Sequence, residues 1–183
     1  TPVVLPLDSA AACNPAQVGS KAARLAKLAA AGFPVPAGFA IGVDASRAFA
    51  RANGLTSATP ADAVARAPIP EEMAAAIRSA LRILGDGPVA VRSSAIAEDL
   101  TGASFAGLYE SILDVRGDEA VLNAVATVWA SAHASRVHVY DRDAAGCATM
   151  AVLVQRMVSA DAAGVVFTAD PVSGARDVTI VSA

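Results

Sequence analysis

Two basic side chains of this sequence have surroundings that favour the binding of an anion, and the first is Lys21. It follows Gly19 and Ser20 at the start of a predicted helix, where a positive charge opposes the helix dipole by about 0.3–1 kcal/mol. A phosphate group bound by both the ammonium and the helix N-terminus would remove this conflict. A solvated surface lysine is an equally good interpretation. The pattern GxxxxGK[ST] does not occur in the chain, which excludes a P-loop.

Arg92 is the second basic residue, and it interrupts a predicted apolar strand. It lies between Val91 and the pair Ser93-Ser94. A guanidinium group at a strand end can hold an oxyanion through two parallel hydrogen bonds. The alternative is an internal ion pair with Glu98 or Asp99 in the following loop. The two serines do not lie in a GxSxG sequence, and neither histidine has a recognisable link to them, so we do not expect a hydrolase.

Three other features could belong to a site, and each has an ordinary structural alternative. The small polar loop 101–107 could place backbone N–H groups over phosphates, although most loops of this composition bind nothing. His133 and His138 are separated by roughly 140° around a helix, so they cannot bind one metal ion together. Gln155 interrupts an apolar strand. It is either a core or edge amide with its own partners or a ligand contact.

These residues must be positioned by a mixture of helices and strands. Apolar residues at helical spacing, with caps and glycine stops, predict helices over 18–32, 44–51, 70–84 and 118–142, the last with a break near His133, and a further helix start at Pro60. Apolar runs predict strands over 40–43, 89–94, 109–115, 150–158 and 164–168, the last two joined by a turn, and the chain ends in a β-branched run over 179–183. The turn at 85–88 divides the chain into a helix-rich subdomain, 1–86, and a strand-rich subdomain, 87–183. The predicted fold class is α+β.

The composition excludes several classes of protein. The chain has 183 residues, of which 55% are hydrophobic but only 4% aromatic, so its mean hydropathy of +0.49 comes mostly from alanine. Charged residues, glycine or proline interrupt every apolar run before the ~18 residues of a membrane-spanning helix. A net charge of −3 gives no attraction for nucleic acid or an anionic membrane. Cys13 and Cys147 form no metal or disulfide pattern, which favours a soluble protein of the reducing cytoplasm.

Three pairs of segments resemble the N-terminal ATP-binding domain of the pyruvate phosphate dikinase, phosphoenolpyruvate synthase and rifampin phosphotransferase family. They occur in the family's order and spacing and cover essentially the whole chain. The segments are 18–25 with 34–39, 89–100 with 103–107, and 152–158 with 164–171. The resemblance implies an incomplete, N-terminal part of an ATP-grasp-type nucleotide-binding domain.

The same resemblance implies a role for six residues of this sequence. Family members split ATP and pass a phosphoryl group to a histidine on a separate domain. Lys21 and Arg92 match the lysine and arginine that contact the triphosphate and are the expected catalytic residues. Of the other matching positions, Gly107 and Ser111 fall in the phosphate-covering loop and strand, and Gln155 and Met157 fall at the adenine side.

This sequence also departs from the family's pattern. Ser20 replaces a glycine that usually precedes the lysine, Leu108 stands where many members carry glutamine, and Ser111 stands where threonine is common. The family's magnesium ligands, phosphohistidine domain and acceptor domain correspond to sequence beyond Ala183, so we expect no metal site within the chain. Phosphoryl transfer needs that metal to balance charge. The chain by itself is therefore expected to be inactive.

The resulting hypothesis is the ATP-binding part of a cytoplasmic ATP-dependent phosphotransferase. Its expected ligands are ATP and Mg²⁺, and its expected partners are the phosphohistidine and acceptor domains of a longer enzyme. Pyruvate is one acceptor, as in a phosphoenolpyruvate synthase, and a rifamycin is the alternative. A non-catalytic module that senses nucleotides or binds a partner is a hypothesis of another class. Codons after Ala183 that continue into an acidic metal site would favour the enzyme, and a stop codon there would favour the module.

Overall fold

A five-stranded antiparallel sheet forms the centre of the computed structural model, which describes residues 2–95, 111–133 and 149–182. The strand order is β1-β2-β5-β3-β4. The strands are β1 (Val4–Pro6), β2 (Gly38–Ile41), β3 (Val89–Ser94), β4 (Ser111–Val115) and β5 (Ala151–Arg156). Strands from both sides of residue 86, the predicted subdomain boundary, share this sheet, because β2 pairs with β5.

In the described part of the chain, five α-helices and one short 3-10 helix pack around the sheet. The α-helices are α1 (Pro15–Ala30), α2 (Val43–Ala52), α3 (Ala61–Ala65), α4 (Glu71–Leu84) and α5 (Asp118–Ser131), and the 3-10 helix spans Ala10–Cys13. The predicted mixture of helices and strands is thus confirmed, and all pairs in the five-stranded sheet are antiparallel. Helix α5 ends at Ser131, close to the break predicted near His133, and residues 134–148 lie outside the described part of the chain. Among the described helices, none has both the length and the apolar character needed to cross a membrane.

Each face of the sheet is covered by its own apolar cluster, because successive strand residues point to opposite sides. Leu153 and Ala40 pack under α1, whereas Val152 and Val154 pack against the other helices. Alanines of α1 bring this helix close to the strands: Ala22, Ala23 and Ala26. The opposite face carries the larger side chains of the core, among them Phe49, Ile77 and Trp129. We call the two sides the α1 face and the α2–α5 face.

The predicted strand at 164–168 is present, and it does not pair with the strand that precedes it in the chain. This strand, β6 (Val165–Phe167), pairs with β7 (Ile180–Ser182) in a separate two-stranded sheet. It cannot form a hairpin with β5, since both edges of β5 are already paired, one with β2 and the other with β3. The β-branched run near the end of the chain supplies β7.

Candidate functional site

Helix α1 is interrupted at Gly19, two residues before Lys21. Gly19 has φ 74° and ψ 167°, a non-helical conformation within an otherwise helical segment. A Cβ atom at this position would lie 1.9 Å from the carbonyl oxygen of Ser94. The positive φ and the close approach both require glycine. The start of α1 therefore lies directly against the end of β3.

The Ser94 hydroxyl group is inserted into the first part of α1. Its Oγ accepts a hydrogen bond from the Ala22 amide at 3.0 Å and donates one to the Val18 carbonyl at 2.7 Å. In a continuous α-helix these two backbone groups, four residues apart, would bond to each other. A side chain that enters the helical hydrogen-bond ladder in this way produces a kink. The kink at Gly19 is thus stabilised by Ser94, a residue 76 positions after Val18 in the sequence.

Lys21 is held against the same strand end. Its Nζ donates to the Ser93 carbonyl oxygen at 2.8 Å, and its side chain is half-buried. The backbone amide of Ser20 donates to the Ala95 carbonyl at 3.0 Å. The amides of Ser20 and Ala22, which follow the break at Gly19, are therefore bonded to β3 and to the residue after it. These two amides are not available to an anion, whereas the Lys21 ammonium group has further hydrogen-bonding capacity.

Arg92 lies on the α1 face of β3, the side on which Lys21 sits. It is directly opposite Leu153 of β5, which packs under α1, and opposite Ser111 of β4. Cross-strand partners share a face of the sheet. The guanidinium group is half-buried and forms no ion pair with the residues that the structure describes. Glu98 and Asp99, the alternative partners, lie outside those residues, so that alternative stays a prediction.

Gln155 and Met157 lie at the other end of β5. Gln155 is two positions from Leu153, about 7 Å along the strand and on the same face. It is almost completely buried, and its Nε2 donates to the Pro36 carbonyl at 3.0 Å. The amide nitrogen thus has a partner within the protein, as expected for a core or edge amide. Met157 is half-buried, and its backbone amide donates to Pro88 at 3.0 Å.

Residues 15–183 match the family described as pyruvate phosphate dikinase, AMP/ATP-binding domain. The chain belongs to this family. The match includes Lys21, Arg92, Ser111 and Gln155, and the resemblance drawn from the sequence motifs is confirmed.

Curated relatives extend the comparison to individual proteins. The prodigiosin synthesizing transferase PigC of Serratia marcescens is 42% identical over 94% of this chain and 20% of its own length. The phosphoenolpyruvate synthase of Aeropyrum pernix is 38% identical over 90% of this chain and 24% of its own length. The rifampicin phosphotransferase of Streptomyces sviceus is 38% identical over 98% of this chain and 24% of its own length. The chain therefore spans about a quarter or less of these relatives.

The structure brings four of the predicted residues to one face of the sheet. The Lys21 ammonium bonds to the carbonyl of Ser93, the residue that follows Arg92; Ser111 lies opposite Arg92, and Gln155 lies further along β5. Gly107 and the loop 101–107 lie outside the described part of the chain. Within that part, no three His, Cys, Asp or Glu side chains are grouped so that they could hold a metal ion.

Sequence reasoning misses the part that Gly19 and Ser94 play in this arrangement. The sequence suggests Ser94 only as a nucleophile, although it is completely buried and bonded to the backbone of α1. A glycine within a helical pattern is an available signal of a break. No local pattern identifies the serine that fills the break, because that serine belongs to a distant strand.

An apolar cavity of about 330 Å³ lies away from the Lys21–Arg92 pair, at the ends of β1 and β2. Val35, Phe39, Ile83 and Leu84 are among its lining residues. Pro36, which accepts from Gln155, also lines it. The cavity thus adjoins the Gln155 end of the face but contains none of the basic residues of the candidate site.

Proposed function

We propose that this chain is the ATP-binding part of an ATP-dependent phosphotransferase in which Lys21 and Arg92 bind the triphosphate. One observation carries the proposal: two cationic side chains approach the same strand end. The Lys21 ammonium lies 2.8 Å from the Ser93 carbonyl, and Arg92 is the preceding residue of that strand. The half-buried Arg92 has no carboxylate partner in the described residues. A polyanion such as a triphosphate can accept hydrogen bonds from both cationic groups.

The remaining assignments follow the position of each residue around this pair. We propose that Ser111, which is exposed and opposite Arg92, contacts the phosphates through its hydroxyl group, together with Gly107. Gln155 and Met157 are assigned to the adenine side. Because Gln155 Nε2 is bonded to Pro36, its contact with the base would come from Oε1. In this arrangement the protein acts by orienting the triphosphate and stabilising its charge rather than by covalent chemistry.

The described residues contain no group of three side chains that could hold a magnesium ion. The expectation that Mg²⁺ is held by ligands outside this chain stays a prediction. When bound to a triphosphate, magnesium neutralises charge on the phosphate oxygens. The roles of Lys21 and Arg92 given above are independent of where it binds.

The phosphoryl acceptor is assigned to another part of the protein. The names of the three relatives refer to different compounds: prodigiosin, phosphoenolpyruvate and rifampicin. They nevertheless share about the same identity with this chain. A region common to enzymes with different products fits the shared ATP step better than the choice of acceptor. We propose transfer through a histidine of another domain to an acceptor such as pyruvate, in the cytoplasm, with a rifamycin as the alternative.

The test uses the protein at the full length of its reading frame. Binding of ATP is measured by calorimetry, and transfer is measured with radiolabelled ATP, for Lys21→Gln, Arg92→Gln and the control Arg156→Gln. Arg156 is a strand arginine at the far end of β5, opposite Val89. Loss of a charged hydrogen bond of about 1.5–3 kcal/mol weakens ATP binding at least about tenfold. Normal ATP binding by Arg92→Gln would overturn the proposal, and ATP binding without any transfer would indicate a nucleotide-sensing module.

A further inference from the structure

Three consecutive residues at the end of β3, Arg92, Ser93 and Ser94, make different contacts around the candidate site. Arg92 points to the α1 face, the Ser93 carbonyl accepts from Lys21 Nζ, and the Ser94 hydroxyl joins the backbone on the two sides of Lys21. The first two belong to the site already described. Ser94 contacts neither a predicted ligand nor the Lys21 side chain, so the proposed function gives it no role.

The two bonds of Ser94 determine the path of the chain that carries Lys21. They join the Val18 carbonyl to the Ala22 amide, the two groups that enclose Gly19, Ser20 and Lys21. With the hydroxyl in place, this turn is held open and Gly19 keeps φ 74°. Without it, the turn has two alternatives. Either the two backbone groups lose their partners, or they bond directly and the turn becomes α-helical.

Both alternatives displace Lys21 from the end of β3. In the first, two buried backbone groups are unpaired and the turn loosens. In the second, Gly19 must leave its left-handed conformation, which rotates the following residues about the helix axis. The ammonium group then no longer meets the Ser93 carbonyl at 2.8 Å. The arrangement of Lys21 beside Arg92 therefore depends on one buried hydroxyl group.

We propose that Ser94 is a positioning residue for Lys21, and that its hydroxyl group sets the geometry with which Lys21 and Arg92 bind the triphosphate. The proposal rests on the proposed function. It assigns Ser94 no contact with ATP and no part in covalent chemistry. Its effect reaches ATP only through the backbone of α1.

The chain contains a matched control for this role. Ser46, in α2, is also buried, and its Oγ also accepts from a backbone amide, that of Met150 at 3.2 Å, and donates to a backbone carbonyl, that of Val43 at 2.9 Å. Ser46→Ala and Ser94→Ala therefore remove the same group and the same two kinds of bond. They differ in that only Ser94 is bonded to the turn that carries Lys21.

The experiment compares Ser94→Ala and Ser46→Ala in the full-length protein by Tm and by kcat and KM for ATP. A displacement of about 1 Å in a positioning group can lower the rate about 100-fold, so we expect kcat/KM of Ser94→Ala to fall at least about tenfold. Ser46→Ala should lower Tm by about as much as Ser94→Ala does. Its kcat/KM should stay within about twofold of the wild-type value. Equal kcat/KM for the two variants would show that Ser94 is only structural and overturn the proposal.

Two further pairs of variants keep the result interpretable. If Ser94→Ala does not fold, Ser94→Cys and Ser46→Cys repeat the comparison, because a thiol weakens both bonds without removing them; again, equal values overturn the proposal. Lys21→Gln and Arg92→Gln test the proposed function separately. If those two bind ATP normally, the proposed function fails. If Lys21→Gln and Arg92→Gln lose ATP binding while Ser94→Ala has the same kcat/KM as Ser46→Ala, only the proposed role of Ser94 fails.

Discussion

Gly19 and Ser94 are in such close contact that a Cβ on Gly19 would lie 1.9 Å from the Ser94 carbonyl oxygen. This contact joins the start of α1 to the end of β3. It brings the Lys21 backbone and Arg92 to one place on the α1 face, and it leaves no room for any side chain at position 19. The turn that carries Lys21 is thus positioned by this backbone contact together with the bonds of the Ser94 hydroxyl group.

The first prediction is that Gly19→Ala destroys this junction. Alanine would have to adopt a positive φ and also displace the backbone of β3, so we expect a large fall in Tm and loss of ATP binding. Gly32→Ala is the control, because Gly32 also has a positive φ (84°), but a Cβ added there would meet nothing within 4 Å in the described part of the chain. The free energy of unfolding of the control should fall by only about 1–2 kcal/mol, which is the cost of placing alanine at a positive φ. Similar Tm values for the two variants would contradict the importance of the contact.

The helices and strands of this fold could be predicted because their signals are local. Gly85 with φ 86° ends α4 at the predicted turn. The cap of α1 was not predicted: the Asn14 side chain accepts from the Ala16 amide, so α1 begins at Pro15 rather than at Val18. The pairing of β6 could not be predicted, because it depends on β5 being paired on both edges. Local sequence patterns predict whether a segment is a helix or a strand. Which strands pair with each other depends on the other strands of the sheet.

The candidate site shows the same division between local and distant information. Lys21 and Arg92 can be identified because a cation at a helix start and a cation in an apolar strand are each locally unfavourable. That they share one face follows from the register of Arg92 opposite Leu153. The bridging role of Ser94 and the bond from Gln155 to Pro36 join residues 76 and 119 positions apart. Periodicity and composition contain no information about such contacts.

The second prediction concerns Arg78, which joins two helices. Its guanidinium group lies 2.9 Å from Glu71 of α4 and 2.9 Å from Glu119 of α5, and the hydrogen bond to Glu119 raises the Arg78 pKa above its ordinary value. Exposed ion pairs contribute little and are screened by salt. We expect Arg78→Met to lower Tm slightly in low salt and to have no effect in about 1 M NaCl.

Arg66→Met is the control for that measurement. Arg66 pairs with Asp62 within the α3 region and connects no second element through this pair. Its replacement should leave Tm nearly unchanged at both salt concentrations. A fall in Tm for Arg78→Met that persists in high salt would mean that packing of the side chain stem, rather than charge, joins α4 to α5.

The third prediction is a pH dependence of the loop between β6 and β7. The Ser173 hydroxyl donates to the Asp170 carboxylate at 2.5 Å and the Val172 amide donates at 2.8 Å, which lowers the Asp170 pKa below its ordinary value of 3.8. A carboxyl group with a lowered pKa stabilises the fold above its unfolded pKa and loses this contribution as the pH falls through the folded value. The protection factor of the Val172 amide, which is the exchange rate of the unfolded chain divided by that of the folded protein at the same pH, should therefore fall below about pH 4. Asp170→Asn should remove this pH dependence. The same pH profile in Asp170→Asn and in the wild type would contradict the prediction.

The last prediction separates the charge of Arg92 from its shape. Arg92→Ala in the full-length protein should abolish ATP use and leave Tm close to that of the wild type, because the half-buried guanidinium has no partner in the described residues that its removal would leave unpaired. Arg92→Lys keeps the positive charge but loses the planar group that holds two phosphate oxygens at once. If the bidentate contact matters, Arg92→Lys should resemble Arg92→Ala in kcat/KM for ATP, with a loss of at least about tenfold. If charge alone matters, Arg92→Lys should retain most of the activity and become more sensitive to salt. Normal ATP turnover by Arg92→Ala would remove Arg92 from the site, and a large fall in its Tm would assign it to the fold instead.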